Sequence, residues 1–254
     1  MIRIVLGGLA LACTGFLAFA EAESSEPPSM RFEWRSEGPP DLCGKTCHTW
    51  ISAVGPVTEK TPRDFAAFAA DRDVHGAVMA LDSEGGSVVD TLQLGRTLRR
   101  FDITTTVGKT STGGTGARSR ASISPSASCE SMCAFILLGG SHRYVPPEAR
   151  VLVHQIWLAK KRERAETASY AADELVLVER DIGSLARYTI EMGGDIELLE
   201  VALRVPPWEP LYRLSRDEIK RMGLNNIDHL FNDQVRDVAT TSGLGAPTAP
   251  SRGQ

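Results

Sequence analysis

Apolar and polar positions alternate between two spacings along the middle of the chain, and the changes of spacing mark the elements. TWISAVGPV (49–57) mixes β-branched and aromatic residues ahead of a Gly-Pro break and reads as a strand. TPRDFAAFAADRD (61–73) has a threonine cap, proline at the first helical position and an acid in the first turn, predicting a helix that hides Phe65 and Phe68. HGAVMALDS (75–83) is a short apolar run between turn residues, the pattern of a buried parallel strand. After the turn EGGS, Val88, Leu92, Leu94, Leu98 and Phe101 form a broad helical face over 88–101, and DITTTVG (102–108) is the next strand.

The pattern then breaks. GKTSTGGTGARSRASISPSAS (108–128) is poor in bulky apolar residues and reads as a mobile loop or partly disordered insert. SMCAFILLGG (131–140) returns to a short buried helix, ended by glycines able to adopt positive φ. VLVHQIW (151–157) is a strand, and 163–192 a long helix in which Ala171, Leu175, Val178, Ile182 and Leu185 recur at three and four residues. A further helix spans 195–204. PPWEPLYRLS resists helix, and in SRDEIKRMGL (215–224) Ser215 and Glu218 form a capping box. Strand and helix alternate as in a single-domain α/β fold with a parallel sheet, whose ligands sit at the carboxyl ends of the strands.

Composition sets the outer bounds. With 254 residues, 42% of them apolar, the chain can bury one sizeable core, and a net charge of −4 gives no general attraction to nucleic acid. Arg99 and Arg100 read as a solvated helix face. Residues 1–20 carry Arg3, an apolar run and Ala18-Phe19-Ala20, the layout of a cleaved secretory signal. The run is near the lower length for a membrane span, and no stable span is expected once it is removed. Residues 21–48 form an N-terminal arm whose first twenty positions show no periodic pattern. The domain covers 49–232, and 233–254 has nothing to bury and reads as a disordered tail.

Signal cleavage leaves Cys43, Cys47, Cys129 and Cys133, an even set suited to disulfides in an exported chain and open to three full pairings. Two C-x-x-x-C pairs are poor zinc spacing. Cysteines four apart on one helix do not readily bridge, so the favoured bridge joins the Cys43/Cys47 segment to the Cys129/Cys133 segment. GKTS resembles the end of a phosphate loop, but Ile103 stands where its first glycine belongs, so no nucleotide is implied.

The chemistry concentrates between Cys129 and His154. Ser131 stands at the mouth of an apolar helix, where its hydroxyl and the N–H of Met132 can face one cavity. A helix-start serine is also an ordinary cap, and a histidine in a strand an ordinary core residue. A nucleophilic serine nonetheless needs an imidazole within reach, and His154 ends the following strand. Gly85 and Gly86, between strand and helix, could let backbone N–H groups approach an oxyanion.

Together LDSEGGS and ESMCAFILLGGSHRYVPPEARVLVHQ resemble the Clp protease proteolytic-subunit family of the ClpP/crotonase superfamily, in particular a divergent secreted branch, over roughly residues 50–230. The glycine-pair motif falls on Asp82 through Gly86, the nucleophile motif on Glu130, Ser131 and Met132, and the histidine-glutamine motif on His154 and Gln155. The resemblance implies a core of repeated β-β-α units, a periplasmic serine hydrolase acting on a peptide or protein substrate, a homo-oligomer, and no metal or nucleotide cofactor. It also implies an acid orienting the histidine between Gly194 and Ser215. Counting forward lands near Pro207 and counting back on Leu211, so Glu209 is the acid in that bracket. Two rival readings stand beside it: an envelope binding or assembly module that has lost catalysis, and an acyl-thioester enzyme with a similar oxyanion hole.

Overall fold

The computed structural model describes residues 28–39, 47–113, 120–158 and 166–231. The signal segment, Cys43 and the tail 233–254 lie outside them. Short apolar runs become the centre of a mixed α/β fold with a mostly parallel sheet. Its strands are β1 (Arg31–Ser36), β2 (Thr49–Val54), β3 (Val78–Asp82), β4 (Thr104–Val107) and β8 (His142–Tyr144), hydrogen-bonded in that order. β2, β3, β4 and β8 are parallel, and β1 closes one edge antiparallel to β2, with Arg31 opposite Val54 and Ser36 opposite Thr49. Strands buried on both faces need continuous apolar character, and Ile51, Met79, Ala80 and Leu81 are all essentially inaccessible.

β1 lies inside the stretch that reads as an unpatterned arm. RFEWRS alternates aromatic with charged residues, which suits an edge strand half open to solvent. The inward ring of Phe32 meets Phe65 edge-on at 5.1 Å.

Six helices are present among the described residues: α1 (Thr61–Ala70), α2 (Val88–Arg100), α3 (Cys133–Gly139), α4 (Ala172–Glu191), α5 (Glu197–Leu203) and α6 (Arg216–Arg221). α1 buries Phe65 completely and Phe68 in part; it begins at Thr61 itself, with Lys60 in the cap position. Ser87 caps α2, and Ser215 and Glu218 form the expected capping box on α6. α4 starts nine residues later than its periodicity predicts, where the Glu174 carboxylate accepts the Ala171 N–H. Its apolar stripe is used only in the second half. Leu185 is fully buried, while Leu175 is 49% exposed.

β7 (Ser128–Glu130), β9 (Arg150–Val153) and β10 (Tyr212–Arg213) form a second sheet in the order β10-β9-β7, with β7 and β9 parallel. A bridge between Ser83 and Cys129 joins it to the end of β3.

The segment 108–128 is not the loop its composition predicts. Lys109–Gly113 and Arg120–Ser124 pair antiparallel as β5 and β6. Threonine and isoleucine supply β-propensity that the glycines and serines mask. Ser111 and Ser122 hydrogen-bond across the ladder, and the Trp50 indole N–H donates to Thr110 Oγ1 at 2.9 Å, tying the hairpin to β2. Among the described residues no helix is long and apolar enough to cross a membrane.

Candidate functional site

β7 stops at Glu130 because Ser131 takes φ of 54°, a left-handed conformation that costs a non-glycine residue about 1–2 kcal/mol. Its surroundings hold it there. The Ser131 N–H donates to Leu152 O at 2.7 Å, tying the turn to β9, and Ser131 O accepts the Ala134 N–H at 3.1 Å as α3 begins. Chain direction thus changes abruptly between strand and helix, as at a nucleophile elbow.

This turn overturns the favoured cysteine pairing. Cys129 bonds Cys133, with Cα atoms 5.1 Å apart. The objection to such a bridge assumes both residues on one helix. Cys129 is instead in β7 and Cys133 opens α3, and the turn at Ser131 folds one toward the other. Cys47 is also disulfide-bonded, and Cys43 lies outside the described residues.

The glycine turn lies directly against the elbow. A Cβ on Gly85, whose φ is +84°, would fall 2.6 Å from Met132 N, 2.7 Å from Glu130 O and 3.0 Å from Ser131 Cβ. One on Gly86, at φ +142°, would fall 2.1 Å from Val57 O. Both positions therefore require glycine, for contact as well as conformation.

Ser83, which the sequence reading passes over, organises the junction. Its N–H donates to Ser128 O and its carbonyl accepts the Glu130 N–H. Its hydroxyl donates to Gly55 O at 2.7 Å and accepts the Gly85 N–H at 3.1 Å. Gly85 has therefore committed its donor. The N–H groups of Gly86 and Met132 have no acceptor among the described residues, so these two backbone donors remain free beside Ser131. The sequence signal for Ser83 was its place inside LDSEGGS.

His154 is the first residue after β9, and β9 runs beside β7 with Leu152 opposite Glu130. Ser131 and His154 therefore leave neighbouring parallel strands at the same end. His154 Nδ1 donates to Gln155 O at 2.7 Å, since a carbonyl only accepts. The Trp157 ring lies against the imidazole at 4.3 Å between centroids. Ser131 Oγ makes no hydrogen bond among the described residues. Glu209 is exposed, and its carboxylate makes no hydrogen bond or ion pair among the described residues; the Gln155 carbonyl holds the ring nitrogen assigned to it.

The helix carrying the elbow is anchored at its far end. Arg99, expected on a solvated face, instead donates to the carbonyls of Leu138, Gly139, Gly140 and Met192, closing the C-termini of α3 and α4. Cations are favourable there because the helix dipoles end in unpaired carbonyls. Arg143 joins it on Gly140 O and Met192 O. Burial, and then the charge of Arg99, lower the Arg143 pKa to about 10. Tyr188 donates to Phe135 O at 2.8 Å, and burial raises its phenol well above the usual range. Gly139 and Gly140 serve close packing here, since Gly140 has φ of −63° and a Cβ on it would fall 2.3 Å from Thr105 Oγ1.

No family model matches the chain, and no curated protein shows significant similarity to it.

Proposed function

We propose that the chain is a serine hydrolase acting on peptide bonds, with the ClpP/crotonase-like core that its motifs resemble. One observation carries the reading: two backbone N–H groups, of Gly86 and Met132, without acceptors among the described residues, beside a serine held in a left-handed turn. Met132 is buried, where N–H groups are almost always paired, while Gly86 is exposed. Two left open at one point suit an oxyanion.

Ser131 Oγ attacks the substrate carbonyl carbon as its proton passes to His154 Nε2. The carbonyl oxygen, now anionic, accepts the Gly86 and Met132 N–H groups. Collapse expels the amine, which takes the proton from His154, and water then hydrolyses the acyl ester by the same route. The Gln155 carbonyl holds the imidazole in the required tautomer, the task of the acid in a full triad. The Cys129–Cys133 bridge supports an oxidising compartment such as the periplasm.

The rival reading, a binding or assembly module without catalysis, draws on the missing Ser131–His154 hydrogen bond and on the exposure of Glu209. A fluorophosphonate probe applied to the oxidised, signal-cleaved protein separates the two. Hydrolase chemistry predicts labelling of Ser131 that is lost in Ser131→Ala and His154→Ala. A folded wild-type protein that stays unlabelled would sustain the rival.

A further inference from the structure

We propose that the hairpin β5–β6 and the sheet beneath it form a second binding site, for a small organic cation with an apolar body. Strand alternation separates it from the helix layer. Thr105 of β4 faces α3, where its hydroxyl donates to Leu137 O at 2.7 Å. Thr106, the next residue, faces the other side of the sheet, where the hairpin lies.

Between hairpin and sheet is a cavity of about 480 Å³, within the range of small-molecule sites. Trp50, Ile123, Tyr144 and Phe231 give it aromatic and aliphatic walls. None of Ser131, His154, Gly86 or Met132 lines it.

Two features specify the ligand. Thr106 is wholly inaccessible and lines the cavity, and its Oγ1 is buried without a hydrogen-bond partner among the described residues. Such an unpaired hydroxyl costs about 1–3 kcal/mol, which a polar ligand atom would offset. The charged residues of the lining are Glu37 and Glu148, with no lysine or arginine among its described members. Glu37 already accepts from the His48 ring at 2.8 Å and from its N–H at 3.0 Å. Glu148 is exposed and has no ion-pair partner among the described residues. A ligand with an aromatic or branched body, a hydrogen-bonding atom toward Thr106 and an ammonium toward Glu148 matches the walls, the floor and the rim.

The test uses the full chain and three probes of one shape: 2-phenylethylamine, 2-phenylethanol and 3-phenylpropionate. Binding is read from the methyl resonances of Ala121 and Ile123 in carbon-13 spectra. The amine is expected to bind about fivefold more tightly than the carboxylate, as one screened charge allows. Glu148→Gln should remove that preference and leave the alcohol unaffected. Thr106→Val, which keeps the shape, should weaken the amine about fivefold through the lost hydrogen bond and raise the melting temperature of the free protein. No methyl shift with any probe at about 10 mM, a concentration that reveals even feeble affinity, would overturn the site. Equal affinity for amine and carboxylate would overturn the cation, and unchanged binding by Thr106→Val would overturn the role of the hydroxyl.

Discussion

Replacing Gly85 with alanine tests the join between glycine turn and elbow at a single methyl group. At φ of +84° an L-residue is strained by about 1–2 kcal/mol. The new Cβ would sit 2.6 Å from Met132 N and 2.7 Å from Glu130 O. Both are backbone atoms and cannot rotate away, so relief requires β7 and the glycine turn to separate, at an overpacking cost of about 1–3 kcal/mol. The total is about 3 kcal/mol, or about 10 °C in melting temperature for a domain of this size. Urea unfolding of wild type and variant, followed by circular dichroism, measures it. Gly183→Ala is the matched control. It lies inside α4 with open space around the added methyl, so helix propensity should raise stability by about 0.5–1 kcal/mol. Fluorophosphonate labelling of Ser131 should fall in the first variant and persist in the second. If Gly85→Ala loses less than about 0.5 kcal/mol, the size of an ordinary surface change, the close approach is wrong.

Two other perturbations probe the supports of the elbow. Cys129→Ala with Cys133→Ala opens a loop of sequence separation 4, so chain entropy predicts a loss of about 2 kcal/mol, with slower labelling of Ser131; wild-type stability and labelling rate together would show that the bridge does not hold the turn. Tyr188→Phe should cost about 1 kcal/mol at pH 8 by removing the hydrogen bond to Phe135 O. Because burial raises the Tyr188 pKa in the folded protein, the folded state keeps a proton that the unfolded state releases above pH 10. Stability from this group is complete below pH 10 and lost as pH rises beyond it, so the advantage of wild type over Tyr188→Phe should shrink by about 1 kcal/mol at pH 11. A gap that stays constant between pH 8 and pH 11 would contradict the buried phenol.

What could be read beforehand follows from how local the determinants are. β2 and β3 announce themselves by short runs rich in apolar and β-branched residues, β4 by β-branched threonines before Val107, and Ser215 caps the helix it precedes. β1 was hidden because this edge strand only half-buries Phe32 and leaves Arg31, Glu33 and Trp34 exposed. The hairpin was hidden by composition, since Ser111 and Ser122 stabilise it only once paired. Among the candidate residues, Gly85 packs against Ser131, and Ser131 and His154 leave neighbouring parallel strands at the same end. The Cys129–Cys133 bridge was misread because its geometry depends on one positive φ at Ser131. The committed donor of Gly85 and the carbonyl partner of His154 are products of folding, the first set by the Ser83 hydroxyl between Gly55 O and the Gly85 N–H, the second by the Gln155 carbonyl.

The link between Ser83 and Cys129 has a mechanical consequence. Through it, the loop bearing Gly86 and the turn bearing Ser131 are tied by consecutive hydrogen bonds, Ser83 N–H to Ser128 O and Glu130 N–H to Ser83 O. Separating Ser131 from Gly86 requires breaking the union of the two sheets. On the proposed hydrolase reading, a displacement of the segment carrying His154 and Trp157 would move the base while Ser131 and Gly86 stay tied together.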